Sequence, residues 1–235
     1  MISKIIKIIT HKARLFFSRL NIYINSTEPI SNNFGHDRGL PIQRYYAEKF
    51  LAEHATDIAG TILEIQEDYY TKKFGKTKVL VSNILDIDPN NKRATTHTNL
   101  LETSQLPHNK YDCIILTFVL CLVDDYNLVL KNIKQMLRPG GVILCTLSSI
   151  NMLADNSRVI GEENDYWHFT EKSAKYMFNK IFGANNVSVR SYGNVFSVTK
   201  SLYGISSEEL SKKKLDFHDN RFPSIVCIRA KNNSN

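Results

Sequence analysis

Glycine is scarce in this sequence, at 10 of 235 residues, and tryptophan occurs once. Few glycines leave little scope for loops that bring the backbone close to a phosphate group. The four cysteines form no Cys-x-x-Cys pair, and Cys113, Cys145 and Cys227 lie within apolar runs. These thiols are therefore predicted to be buried and reduced. The sequence also lacks metal-ligand spacing, a nucleophile elbow and a Walker-type loop, so no metal site is predicted.

The sequence has no run of about 20 apolar residues, so no transmembrane span is predicted. His11, Lys12 and Arg14 interrupt the apolar stretch near the N-terminus, which argues against a secretory signal. Apolar side chains recur there at helical spacing opposite basic ones, and residues 1–24 are predicted to form a basic amphipathic helix. Two alternatives stay open. Either the helix packs on its own domain or on a partner, or residues 1–22 lie on the inner face of an anionic membrane. In both cases the expected location is cytoplasmic.

Positive charge is in excess, with 30 lysine and arginine residues against 23 acidic ones and a formal net charge of +7. Such a balance favours anionic partners. No nucleic acid is expected, however, because the basic residues lack the interleaved aromatics typical of RNA-binding surfaces. The composition is that of an ordinary globular protein. One domain is predicted at residues 41–231, after a linker or ordered loop at 25–40 and before a short tail at 232–235.

From residue 41 onwards, helical patterns alternate with short apolar runs. Strands are predicted to end at Ile65, Ile87, Phe118 and Leu147. Alternation of this kind requires crossover connections and hence a mostly parallel sheet. We predict a Rossmann-like α/β fold, a three-layer sandwich around a seven-stranded sheet with one antiparallel strand at residues 225–230. Ligands of such sheets bind at the carboxyl ends of the strands. The predicted helices are at residues 42–56, 126–137 and 170–182, and the other strands at 94–98 and 187–192.

Three pieces of sequence carry a family resemblance when taken in order: TILEIQEDYYTKKFG, DCIILTFVLCLVDDYNLVLKNIKQMLRPGGVILCTL and DYWHFT. Together they resemble class I S-adenosylmethionine (SAM)-dependent methyltransferases, and more narrowly a bacterial branch associated with glycan biosynthesis. The likeness covers roughly residues 35–231. It implies SAM as the cofactor and methyl transfer to a hydroxyl or amine of a saccharide or related cell-envelope precursor. The alternative is a methyltransferase fold without catalysis that acts as a scaffold for a partner enzyme or a membrane.

The resemblance assigns cofactor contacts to the ends of the first two strands. Glu64 holds the acidic position at the end of the first strand and can accept a hydrogen bond from the amino group of the methionine moiety. Gln66 stands where relatives carry glycine, and a side chain is unfavourable where φ is positive. Asp88, preferred to Asp86, is the candidate for the ribose hydroxyls. The alternative for the first strand end is a turn whose acidic residues are exposed to water. For Asp88 the alternative is a helix or turn cap, since Asp-Pro-Asn-Asn has a strong turn signal.

Two further strand ends supply cofactor candidates. Asn99 stands where the family has an aspartate that meets the adenine amino group, and its amide oxygen can still accept. Thr117, Phe118, Leu120 and Cys121 correspond to the floor of the cofactor pocket. For Phe118 a packed core aromatic is the alternative. Three residues depart from the family pattern, namely Gln66, Asn99 and Phe118, and these departures favour the scaffold alternative.

The DYWHFT segment is the candidate substrate region. His168 is a candidate general base, because an unperturbed imidazole pKa of about 6.5 suits proton abstraction near neutral pH. Tyr166 is the second candidate catalytic residue. The structural alternative is that Phe169 packs against the following helix while Thr170 caps it.

The predicted helix at residues 42–56 supplies two more candidates. Arg44 and Tyr45 resemble residues that roof the cofactor or substrate site. An arginine can pair with a carboxylate or phosphate through two parallel hydrogen bonds. A solvated helix charge is the alternative for Arg44.

Overall fold

The computed structural model describes residues 27–153 and 165–233. The predicted helix at residues 1–24 lies outside the described residues. The strands are β1 (Gly60–Ile65), β2 (Val79–Asp86), β3 (Thr96–His97), β4 (Tyr111–Thr117), β5 (Leu137–Ser148), β6 (Val187–Tyr192) and β7 (Ile225–Lys231). The α-helices are α1 (Ile42–Glu53), α2 (Tyr126–Met136), α3 (Glu171–Phe182), α4 (Val195–Leu202) and α5 (Lys212–Asp216).

All seven strands form one sheet in the order β3-β2-β1-β4-β5-β7-β6. Strands β1 to β5 pair in parallel, whereas β7 is antiparallel to both β5 and β6. β5 lies in the interior of the sheet between β4 and β7, and β7 is the one strand that runs against the others. The predicted Rossmann-like α/β sheet with one antiparallel strand is therefore confirmed.

Both faces of the sheet are covered, which explains why its central strands have continuous apolar sequences. On one face, Ile114 and Leu116 of β4 pack in a core with α2 and α3. On the other, Cys113 and Ile115 pack in a core with α1. All four cysteines are free and buried, as predicted. In the part of the chain that the structure describes, no helix is long and apolar enough to cross a membrane.

Local sequence signals account for the helix ends. Thr170 accepts a hydrogen bond from the Ser173 backbone N–H at 3.1 Å, and the Ser173 hydroxyl bonds the Thr170 N–H at 3.0 Å. This reciprocal cap starts α3, and the buried Phe169 packs in the core beside it, as the structural alternative for these two residues predicted. The helix predicted at residues 42–56 is shorter than expected: α1 ends at Glu53.

The β5 strand is longer than predicted and includes the Arg-Pro-Gly-Gly stretch. Leu137 pairs with Tyr111, and the regular pairing resumes only at Val142 after an irregular step. The Asn232 amide group donates to the Leu137 carbonyl at 2.9 Å, which supports this irregular stretch. Pro and Gly therefore end α2 as expected, while the chain turns directly into the sheet.

The predicted linker is an ordered loop where it is described. Arg38 forms two hydrogen bonds with Glu209, at 2.8 and 2.5 Å, and both side chains are buried. Gly35 has a φ of +89°, and a Cβ there would lie 2.9 Å from the Gly204 carbonyl oxygen. Glycine is therefore required at the point where this loop crosses the chain after α4. The crossing places the loop beside the carboxyl end of the sheet.

Candidate functional site

A cleft of about 410 Å³ opens at the carboxyl ends of β1, β2 and β4. This volume lies within the range of small-molecule sites. The position is the one expected for ligands of an open parallel sheet. Its wall is formed by Arg44, Glu64, Ile65, Gln66, Glu67, Leu85, Asp86, Ile87, Asn99, Leu100, Leu101, Thr117, Phe118, Val119, Leu122, Val123 and Asp124.

Glu64 lies at the end of β1, where its carboxylate holds the following loop. It accepts hydrogen bonds from the Tyr70 N–H at 3.1 Å, the Thr71 N–H at 2.7 Å and the Thr71 hydroxyl at 2.8 Å. The side chain is almost fully buried. Burial raises the pKa of Glu64 from 4.5 to about 7, although the three donors act in the opposite direction. Glu64 therefore fixes the loop and titrates near neutral pH.

Gln66 has the backbone conformation that the sequence predicts for a glycine position, with a φ of +67°. Its N–H donates to the Leu85 carbonyl at 2.9 Å, and its carbonyl accepts from the Asn91 side chain at 2.8 Å. These bonds hold the left-handed turn in spite of the unfavourable side chain. Gln66 itself is exposed and forms part of the cleft wall.

At the end of β2 the structure places Asp86 in the cleft wall, and Asp88 outside it. The Asp86 carboxylate accepts from the Asp88 N–H at 3.0 Å and from the Asn91 side chain at 2.6 Å. Asp88 caps the next turn by accepting from the Asn90 N–H at 2.8 Å. The expected preference for Asp88 is therefore revised in favour of Asp86. The turn that follows Ile87 carries Asp88 away from the cleft.

The far wall of the cleft is mostly apolar. Ile87, Leu100 and Leu101 lie there beside Asn99, whose amide oxygen accepts from the Leu101 N–H at 3.0 Å. Asn99 is exposed, and its side chain has the capacity for further hydrogen bonds. This arrangement suits a flat heteroaromatic group with polar edges.

Thr117 and Phe118, at the end of β4, also contact the cleft. The Phe118 N–H donates to the Thr146 carbonyl at 2.9 Å, and Phe118 has a φ of +56°. A bulky residue in this conformation is uncommon, and such strain is often found at functional sites. Leu120 and Cys121 are buried behind it, and only Cys121 lines a cavity wall.

Arg44 and Tyr45 are neighbours on α1, but only the Arg44 side chain lies in the cleft wall. Arg44 lies in the cleft wall, donates to the Tyr70 hydroxyl at 2.9 Å, and stacks 5.7 Å from the centre of the Phe118 ring. Tyr45 donates to Asp216 of α5 at 3.0 Å and lies outside the cleft wall. The expected roofing role is therefore kept for Arg44 alone, since adjacent helical residues point in different directions.

The charge of the cleft wall differs from that of the whole chain. Four carboxylates, those of Glu64, Glu67, Asp86 and Asp124, face one guanidinium, that of Arg44. The chain as a whole has a formal net charge of +7. The wall is therefore acidic within a basic protein, which favours a ligand that carries positive charge.

A second cavity of about 170 Å³ adjoins the cleft. The two share Arg44, Phe118 and Leu122. The remaining wall residues of the smaller cavity are Phe34, His36, Pro41, Gln43, Cys121, Ser148, Asn151, Asp165 and Ser201. The ordered loop before α1 thus contributes to the site, which its polar, turn-rich sequence did not indicate.

The DYWHFT segment is fixed to the chain after β4. The Tyr166 N–H donates to the Cys121 carbonyl at 2.7 Å, and the Trp167 indole donates to the Val123 carbonyl at 2.8 Å. Tyr166 and His168 line neither cavity. Asp165 does, and its carboxylate lies 3.6 Å from His168 Nε2. The residue of this segment that lines the cavity is therefore Asp165, which the sequence did not indicate as a candidate.

Residues 27–153 and 165–233 contain no group of three or more histidine, cysteine or acidic side chains that could hold an ion.

Several solved structures share this fold. A SAM-dependent methyltransferase from Archaeoglobus fulgidus has a TM-score of 0.53 and 15% identity, over 80% of this chain and 94% of that one. The Burkholderia thailandensis 1,6-didemethyltoxoflavin-N1-methyltransferase, with bound 1,6-didemethyltoxoflavin and S-adenosylhomocysteine, has a TM-score of 0.52 and 14% identity. That alignment covers 84% of this chain and 83% of the other. A methyltransferase from Mesorhizobium loti has a TM-score of 0.51 and 13% identity, over 81% and 97%.

No curated protein matches the sequence. The family described as "Methyltransferase domain" matches residues 50–187, which include β1, the four acidic residues of the cleft wall and β5. The match covers more than half of the chain and agrees with the superfamily predicted from the sequence. With its strand order and its cleft at the carboxyl ends of β1, β2 and β4, this chain belongs to the methyltransferase domain family.

Proposed function

We propose that this chain transfers a methyl group from SAM to a hydroxyl or amine of a small molecule. The observation that carries the proposal is the acidic cleft, in which four carboxylates face one guanidinium at the carboxyl edge of the sheet. SAM bears a sulfonium and an ammonium cation, and a wall of this charge complements both. When bound, SAM supplies an electrophilic methyl group.

The residues in the wall suit the three parts of this cofactor. The Asp86 carboxylate accepts two protein hydrogen bonds and has capacity for the ribose hydroxyls. Asn99 with Ile87 and Leu100 suits the adenine ring. Glu64 and Arg44 stand at the other end, where an ammonium and a carboxylate group would find opposite charges.

The identity of the acceptor is proposed from the sequence resemblance, which points to a saccharide or related cell-envelope precursor. A small-molecule acceptor agrees with the bound 1,6-didemethyltoxoflavin of the Burkholderia neighbour. Three predictions of the sequence remain predictions: residues 1–22 contact an anionic membrane, the protein has a partner enzyme, and its location is cytoplasmic.

Calorimetric titration with SAM and with S-adenosylhomocysteine tests the proposal, and the chain supplies a matched pair of variants. Asp86→Asn should weaken binding by about tenfold to a hundredfold, the scale of a charged hydrogen bond. Asp88→Asn, two residues away but outside the cleft wall, should change affinity by no more than about threefold. Thermal unfolding of both variants controls for loss of structure.

Two results would contradict the proposal. Wild-type protein that releases no heat with either compound at about millimolar concentration, far above ordinary cofactor affinities, would favour the scaffold alternative. Equal losses in the two variants would show that Asp86 does not contact the ligand.

A further inference from the structure

We infer that the smaller cavity is the acceptor site and that it takes an amine, whose positive charge is held by Asp165. This inference rests on the proposed function and selects one of its two acceptor classes. It adds a catalytic residue, Asp165, to the cofactor contacts described above.

The first support is the position of the cavity. It shares Arg44, Phe118 and Leu122 with the cleft, so a molecule in it would lie next to a ligand of the larger cleft. Methyl transfer requires such adjacency, because the attacking atom must approach the methyl carbon in line. The volume of about 170 Å³ fits the reacting end of an acceptor.

The second support is the state of Asp165. Its side chain is only 6% exposed, yet it lines the cavity. On one side the Cys121 thiol donates to the Phe118 carbonyl at 3.1 Å, and burial raises the pKa of that thiol well above its ordinary value, so it stays protonated. On the other side His168 Nε2 lies 3.6 Å away, beyond a normal hydrogen bond. Among the described residues neither neighbour gives this buried carboxylate a normal hydrogen bond, so its oxygens can accept one from a cation in the cavity.

The third support is the wall opposite the sheet. Phe34 has a φ of +53° and lines the cavity from the ordered loop before α1. The Arg38–Glu209 pair and the contact of Gly35 with Gly204 hold that loop in place. A non-glycine residue kept in this conformation by its surroundings is typical of a binding site. An aromatic face also attracts a cation.

The chemistry of an amine acceptor needs no strong base. The neutral amine, formed by loss of a proton to solvent, attacks the methyl carbon with its lone pair, and an N–C bond forms as the C–S bond breaks. The electrons of the C–S bond stay on sulfur, which becomes a neutral thioether, and nitrogen acquires the positive charge. The Asp165 carboxylate stabilises this developing charge. The product then loses one proton to solvent.

A hydroxyl acceptor would need a base in the cavity wall, and His36 is the candidate there. Benzylamine and benzyl alcohol are probes of nearly equal shape that differ in charge at neutral pH. We would measure the binding of each to the full chain by ligand-observed NMR titration, with and without saturating S-adenosylhomocysteine. Wild-type protein should bind benzylamine at least about tenfold more tightly than benzyl alcohol, as expected for a charge-assisted contact.

Asp165→Asn should remove this preference, whereas Glu102→Gln, at an exposed carboxylate outside both cavities, should leave it unchanged. Equal binding of the two probes to wild-type protein, or a preference that survives in a folded Asp165→Asn variant, would overturn the inference. The wild-type comparison stands even where the variant does not fold. S-adenosylhomocysteine binding without amine preference would reject the acceptor class and leave the proposed function intact. Absence of S-adenosylhomocysteine binding would reject the proposed function itself.

Discussion

Replacement of Glu64 by glutamine should change how the stability of the domain depends on pH. Burial raises the pKa of this carboxyl from 4.5 to about 7 in the folded protein. Between these two values the folded state holds a proton that the unfolded state has released. The stability that this proton confers is therefore complete below 4.5 and is lost as the pH rises through about 7.

The magnitude follows from the shift. A difference of about 2.5 pKa units corresponds to about 3 kcal/mol of unfolding free energy. Glutamine removes this titration at a fixed cost. Its amide N–H₂ would face a backbone N–H, that of Tyr70 or Thr71, where a carboxylate oxygen now accepts. An unsatisfied buried donor costs about 1–3 kcal/mol.

Urea unfolding at about pH 5, 6, 7 and 8 measures both effects. The gap between wild type and Glu64→Gln should be widest near pH 5 and should narrow by about 2.5 kcal/mol towards pH 8, because part of the effect is already lost at pH 5. The exposed Glu102→Gln serves as the matched control and should show a gap that does not vary with pH. A constant gap for Glu64→Gln would refute the reasoning, since it would mean that Glu64 is ionised throughout.

The titration of Glu64 should also affect cofactor binding, because an ammonium group beside Glu64 would favour the ionised form. S-adenosylhomocysteine affinity should therefore rise with pH in wild type and stay flat in Glu64→Gln.

Three further predictions concern backbone and ion-pair features of the domain. Thr170→Ala removes the hydroxyl that accepts from the Ser173 N–H at the start of α3, and should lower the unfolding free energy by about 1 kcal/mol in urea unfolding. No change would show that α3 does not depend on this cap. Arg38→Ala leaves the buried Glu209 carboxylate without its cation and should cost about 3 kcal/mol in the same assay. A loss below about 1 kcal/mol would indicate that the pair is solvated. Gln66→Gly relieves about 1 kcal/mol of left-handed strain but makes the unfolded chain more flexible, so stability should change little. Its affinity for S-adenosylhomocysteine in calorimetry should rise, and a fall would show that the Gln66 side chain contributes a contact.

The functional residues differ in how far the sequence could locate them. Glu64 and Thr117 follow buried apolar runs, and strand ends of this kind meet at one edge of a parallel sheet. The choice between Asp86 and Asp88 could not be made in the same way, because it depends on a turn that rotates one carboxylate into the cleft and the other out of it. The turn signal was visible in the sequence, whereas its direction in space was not.

The amino-acid sequence by itself determined the strands and their mostly parallel pairing, the antiparallel direction of β7, the buried cysteines and the cap of α3, because continuous apolar runs and capping residues act over a few neighbours in the chain. Only the tertiary structure decided which side chains meet. Asp165 reaches the cavity beside Cys121, and Arg44 stacks on Phe118, across long separations in sequence. The sequence interpretation did not predict helices α4 and α5 or the five-residue π-helical turn at Thr71–Gly75. Local patterns specify elements, whereas the packing of distant elements places the charges that define the site.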